Sequence, residues 1–269
     1  MTLTDSKTTI LFLLTITLAL SCQKKAVKQL SNAEPVANDS VQTTNQINDL
    51  KDLPPNNKAA KPPASQQPQA TYSTNAKHNQ RYLRLKGSIT KSKQNLRTSS
   101  SESLSITKQS FETWLVDSIF TYWYGTTWDF NGYTAVPRKG DVACGYFVST
   151  TVRDMGIDIN RYKVAQKAAS EIVRELCDSS STKWFNDVND LDHFVAQRPD
   201  NEVYIIGLDN HVGFIVRRNG LSYFIHSSYI DRAGVMKERL LASLPIQYSQ
   251  RYYIGSLSGS EKLLRMWLN

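Results

Sequence analysis

Three patterns of apolar and polar positions succeed one another along this chain. Near the start, "TILFLLTITLAL" is an unbroken apolar run of signal-peptide dimensions, too short to span a bilayer comfortably. From Gln23 to about Lys108 the apolar residues lose any period, and Gln, Asn, Ser, Thr, Pro and Lys dominate. Such a stretch cannot bury enough surface to offset the entropy of ordering, so it predicts a flexible linker. Within it, "RYLRLKGSIT" (residues 81–90) alternates enough to hint at a short strand and is assigned to the linker. Beyond it, periodicity returns and holds to the end.

In that last part, Phe111, Trp114, Leu115, Ile119, Tyr122 and Trp123 recur at helical spacing, and Gly125 ends the helix. A loop rich in Gly, Asn, Asp and Pro follows. Phe147, Val148, Val152 and Met155 then form the apolar stripe of a helix that begins close to Cys144 and is capped by Gly156. Val164 to Cys177 reads as one further helix, and "DLDHFVAQ" as a shorter one. "EVYIIGL" is a strand, "NHVGFIVRRNGLSYFIHSS" a hairpin, "YSQRYYIGSLS" another strand, and "EKLLRMWLN" a closing helix. Helices first and strands later predict an α+β domain with an antiparallel sheet, about 160 residues long (residues 106–269).

The hairpin carries chemistry. Asn219-Gly220 between apolar runs predicts a type I′ turn, which needs positive φ at both central residues. Arg217 then faces Ser222, Ile215 faces Phe224, and Gly213 faces His226. His211 lies on the same face as Gly213, so the two imidazoles become diagonal neighbours with no side chain between them. Two histidines on one face fit a core pair, half of a metal site, or a catalytic pair.

Charge narrows the function. Residues 23–108 hold fourteen Lys/Arg and five Asp/Glu, a net of +9, while residues 109–269 net −1. The basic balance therefore belongs to the linker, which argues against a nucleic-acid enzyme and leaves nucleic acid out as a partner. Cys144, at the junction of loop and helix, suits a nucleophile, because a helix N-terminus favours a thiolate and offers free N–H groups for an oxyanion. The bland reading of the same residue is a buried core cysteine. A Cys144–Cys177 disulfide is a second alternative in an oxidising compartment, and a zinc site of Cys144, His211 and His226 a third.

"YGTTWDFNGYTAVPRKGDVACGYFVSTTVRDMGI" followed by "NHVGFIV" and "FIH" resembles the NlpC/P60 superfamily of cysteine peptidases and amidases, with features of the related CHAP domains. The resemblance spans about residues 106–230. It implies a papain-like α+β fold, Cys144 as nucleophile, His211 as general base and His226 as the orienting third member. It also sets Trp128 where a loop tyrosine helps line the oxyanion site. Apart from the resemblance, Gly145 leaves the backbone at the helix start open for oxyanion donors, and Asp141 and Arg138, just upstream of Cys144, are either cleft residues beside the substrate or surface charges. Five positions differ from the pattern: Trp128, Ala143, Gly145, Tyr146 and Asn210. The implied chemistry is hydrolysis of an amide bond, most often in peptidoglycan stem peptides, with no metal or organic cofactor.

Ser21-Cys22 after the apolar run resembles the lipobox of bacterial lipoproteins, which makes residues 1–21 a signal peptide and Cys22 the lipidated residue. Residues 22–105 would then tether the domain to the membrane through that lipid, outside the cytoplasm and facing the envelope. A non-catalytic binding lipoprotein of the same fold, and a cysteine acyltransferase or peptidase acting on a non-wall substrate, are the competing functions. The sequence leaves the oligomeric state open.

Overall fold

The computed structural model describes residues 69–98 and 104–269, with side chains from Ala76 onward. The apolar run and Cys22 lie outside the described residues. The fold is built on a six-stranded, wholly antiparallel sheet in the order β1-β6-β2-β3-β4-β5. Its strands are β1 (Thr182–Phe185), β2 (Val203–Gly207), β3 (Val212–Arg218), β4 (Leu221–Ser228), β5 (Gly234–Arg239) and β6 (Tyr252–Ser256). The α+β expectation therefore holds at this level.

Helices cover both faces of the sheet. Alternation along β2 sorts the strand between two cores: Val203 and Ile205 join the first, Tyr204 and Ile206 the second. Every residue of β2 is buried, which is why "VYIIG" reads as a continuous apolar run rather than an alternating one. The first core is capped by the helical run α2 (Leu104–Glu112), a π-helical stretch (Thr113–Ile119) and α3 (Phe120–Trp123), together with α4 (Cys144–Asp154). Phe120, Phe147 and Phe214 meet there with centroids 4.8–6.0 Å apart. The second core is smaller. Leu191 and Val195 of α7 (Val188–Ala196) and Ile246 of α8 (Leu244–Tyr248) close it over Ile215 and Phe224.

Two expectations are corrected here. Residues 81–90 are neither linker nor strand but the middle of α1 (Gln69–Thr98). Tyr82 and Ile89 of that helix are buried in the first core, with Leu85 and Leu96 packed against it. The Tyr82 hydroxyl donates to Asp154 Oδ2 at 2.8 Å and receives the indole N–H of Trp123 at 2.9 Å. Lys93 Nζ donates to the Gly156 carbonyl at 2.9 Å, and Arg97 donates to the carbonyls of Leu268 and Asn269. Residues well ahead of 106 thus pack on the domain. Second, Val164 to Cys177 is not one helix. It breaks into α5 (Arg161–Ala165) and α6 (Ala169–Leu176), because Ala168 takes an extended backbone (ψ 149°). The break turns Ala165, Gln166 and Lys167 toward the head of α4.

The hairpin follows its sequence. Asn219 and Gly220 have φ of 51° and 73°, the left-handed pair that a type I′ turn requires. Arg217 pairs with Ser222 and Ile215 with Phe224. Strands β1 and β5, which the sequence reading omitted, form the two edges of the sheet. The remaining helix is α9 (Glu261–Leu268), whose Trp267 is buried against Phe111 at 5.3 Å.

Candidate active site

Cys144 is the first residue of α4, with Ala143 as an N-cap that offers no side-chain bond. The helix is pinned from behind by Arg161, a buried guanidinium that donates to Thr150 Oγ1 at 2.6 Å, to the Thr134 carbonyl at 3.2 Å and to the Tyr133 carbonyl. One buried cation thereby holds the upstream loop against the helix that bears the cysteine. Gly145 follows because nothing larger fits: a Cβ there would lie 2.3 Å from the Ala165 carbonyl oxygen.

The thiol differs from the sequence expectation in one respect. Burial pushes the Cys144 pKa up, and the backbone N–H groups of Val212, Gly145 and Cys144 itself pull it down without prevailing. The helix N-terminus contributes, but desolvation outweighs it. The resting group is a thiol.

His211 stands one residue ahead of β3, at the end of the sheet, and is 3% exposed. The Leu208 N–H donates to its carbonyl at 2.8 Å and closes the turn that carries it. Its Nε2 lies 2.9 Å from His226 Nδ1, with the rings perpendicular (89°) and 5.0 Å between centroids. His226 is fully buried and stacks on Phe224 at 4.2 Å. Gly213 makes room for this pair, since a Cβ there would sit 2.9 Å from His226 Cβ and 2.6 Å from the Phe224 ring. The predicted co-location of the two histidines is thus observed, down to the glycine between them.

The sequence reading missed Glu238. It lies opposite Phe224 on β5, the diagonal neighbour of His226, and its Oε1 is 2.9 Å from His226 Nε2. The only signal available was its place in a strand the reading had not identified. Burial lowers the His211 pKa well below the usual histidine value, with the neighbouring His226 adding to it. Burial also lowers His226, against the opposing pull of the Glu238 hydrogen bond and charge. For Glu238, burial is the largest single effect and acts upward, but the His226 hydrogen bond, the neighbouring Ser243 and the His226 charge together outweigh it and leave the carboxyl below the ordinary glutamate range. Near neutral pH the chain is therefore two neutral imidazoles ending on a carboxylate.

A cavity of about 770 Å³ opens over these groups, and Cys144 and His211 share its wall with Trp128, Gly145, Tyr146 and Tyr229. Tyr229, also missed, packs its ring 5.2 Å from His211 and 6.3 Å from Trp128, bridging the base and the indole. His226 lies behind His211, outside the cavity lining. Asp141 does not reach the cleft; it lines a shallow neighbouring pocket with Asp129 and Lys139. Arg138 is also elsewhere, its Nε donating to the Tyr124 carbonyl at 2.8 Å. Neither residue lines the cavity of Cys144 and His211, and a backbone bond from the Thr134 N–H to the Asp141 carbonyl closes the loop that carries them.

Cys144 and Cys177 are both free. Cys177 is buried against Gly255, whose Cβ, if present, would lie 2.9 Å from the sulfur, so it is a core thiol and no disulfide partner. Among the described residues no group of three His, Cys, Asp or Glu side chains is placed to hold a metal ion. The zinc alternative also meets a geometric obstacle, since His226 spends both ring nitrogens on His211 and Glu238. No helix among the described residues is long and apolar enough to cross a membrane.

No protein-family model, curated protein or solved structure matches this chain.

Proposed function

We propose that this protein is a cysteine hydrolase of the cell envelope, of papain-like NlpC/P60 type, cleaving an amide bond in peptidoglycan stem peptides. The observation that carries the reading is the bonded His211–His226 pair meeting Cys144 in one cavity. A nucleophile, a base and a group that orients the base form the working unit of acyl transfer. His211 Nε2 is engaged by His226, which leaves Nδ1 as the nitrogen available to the cleft.

Because the thiol is raised and the imidazole lowered, the resting pair is neutral, and proton transfer accompanies attack. The S–H bond of Cys144 breaks as His211 Nδ1 takes the proton and sulfur bonds to the substrate carbonyl carbon. The C–N bond then breaks, the amine leaves with that proton, and an acyl-enzyme remains. Water, giving a proton to the same nitrogen, adds to the thioester carbonyl; the C–S bond then breaks, the acid leaves, and the proton on Nδ1 returns to sulfur. In this reading the backbone N–H groups at the head of α4 donate to the developing oxyanion, and Trp128, which lines the same cavity, brings an indole N–H to it. Export and lipid attachment through Cys22 belong to this proposal and put the site beside its substrate.

One observation favours a second reading. A thiol held above its ordinary pKa suits a non-catalytic binding lipoprotein with this fold. Digestion of purified peptidoglycan with the full chain and with Cys144→Ser separates the two. New soluble muropeptides that disappear in the variant establish the hydrolase and identify the bond. No fragments from either protein overturns the wall-hydrolase reading, and retention of wall polymer by both then supports the binding protein.

A further inference from the structure

The bonded chain Glu238–His226–His211 has a consequence for where protons sit. An ionised carboxylate only accepts hydrogen bonds, so the 2.9 Å contact with Glu238 Oε1 requires the proton of His226 on Nε2. A neutral His226 then presents a bare Nδ1. The 2.9 Å contact between that nitrogen and His211 Nε2 in turn requires the proton of His211 on Nε2. The His211 ring is left with an unprotonated Nδ1.

Without the carboxylate this assignment would lose its fixed end. Two neutral imidazoles joined by one bond can run in either direction. In the reverse direction His226 donates from Nδ1, and His211 carries its proton on Nδ1. A ring protonated there cannot accept a proton from a thiol. Among the described residues no third hydrogen bond reaches the ring nitrogens of His226, which is fully buried between the Phe224 ring, Gly213 and its cross-strand partner Met236. Glu238 is suited to the task by the sheet, since pairing of β4 with β5 sets it diagonal to His226, and its contacts with His226 and Ser243 favour the ionised carboxylate over the pull of burial.

We infer that Glu238 is a positioning residue: through His226 it fixes His211 as the Nε2–H tautomer and so selects Nδ1 as the nitrogen open to the cleft. The catalytic consequence rests on the Cys144–His211 reading above, whereas the tautomer itself does not. The unit is thus a Cys-His-His-Glu chain, with a terminal carboxylate that never touches substrate. Once His211 takes a proton, Nε2–H still donates to His226, and the charge gains a distant negative partner through the same bonds.

Nitrogen NMR of the full chain, labelled with ¹⁵N-histidine and held at pH 7.5, reads the protonated nitrogen of each ring directly. The wild-type protein is expected to show Nε2–H at both His211 and His226. In Glu238→Ala the same rings are expected to exchange between tautomers, with His211 Nδ1 carrying the proton in a substantial fraction of molecules. A wild-type His211 protonated on Nδ1 overturns the inference, and so does a Glu238→Ala pattern identical to wild type. Should Glu238→Ala not fold, the wild-type reading alone decides. Failure of peptidoglycan digestion with the tautomer pattern intact would sink the hydrolase proposal and leave this inference standing.

Discussion

Single atoms decide how much room the site has. At Gly145, a Cβ would stand 2.3 Å from the Ala165 carbonyl oxygen and 3.2 Å from its carbon, both backbone atoms with no rotamer to yield. Gly145→Ala is therefore expected to push α4 and the turn after α5 apart. It should lower unfolding stability by about 1–3 kcal/mol, measurable as a shift of the denaturant midpoint; an unchanged midpoint would show that the contact is not tight. At this scale the site was partly legible. Cys144 announced itself by standing where a glycine-rich loop becomes a helix, and the two histidines by their mirrored spacing about Asn219-Gly220. Glu238 was not legible, because a carboxylate in "GVMKER" acquires meaning only once strand pairing sets it beside His226. The raised thiol was not legible either, since desolvation depends on what the fold places around Cys144.

At the level of elements, strong periodicity was read correctly and thin periodicity was not. The hairpin, β2, β6 and α4 each carry an apolar stripe or a turn signal wide enough to see. Helix α1 carries only a narrow one: Tyr82, Leu85, Ile89 and Leu96 in a run otherwise dominated by polar and basic residues. A stripe that narrow is hidden when composition is averaged, and it stabilises a helix only when a ready surface receives it. Here Trp123, Asp154 and Gly156 supply that surface. Ile89 is 1% exposed. Ile89→Ala should accordingly cost about 2–5 kcal/mol in chemical unfolding of the full chain. A flexible linker would register no change. The split of Val164–Cys177 into two helices has a similar origin. The apolar stripe continues across the break, but the close approach of Ala165 to Gly145 requires the backbone to turn there.

Across the molecule, the sheet acts as a divider. The cysteine rides on a helix that packs into the first core. His226 stacks on Phe224, a member of the second, so this part of the Glu238–His226–His211 chain is buried on the opposite side. His211, just ahead of its strand, brings its ring round the end of the sheet to the cavity that Cys144 lines. Charge is distributed differently from the sequence expectation. Seven of the fourteen basic residues counted in the upstream segment lie on α1, which holds no acidic residue and packs on the body. The basic balance is thus partly a property of the folded unit. Proton transfer from Cys144 to His211 is the step on which the proposed chemistry depends. It is tested most directly by the rate of Cys144 alkylation by iodoacetamide as a function of pH, in the wild-type chain and in His211→Gln. Near pH 7.5 the variant should react slower by roughly a hundredfold. The wild-type advantage should persist as pH falls past the ordinary histidine value of about 6.5, because burial holds the His211 pKa below it, and should vanish only once that ring is protonated. Equal rates in the two proteins at pH 7.5 would contradict the pairing of thiol and imidazole.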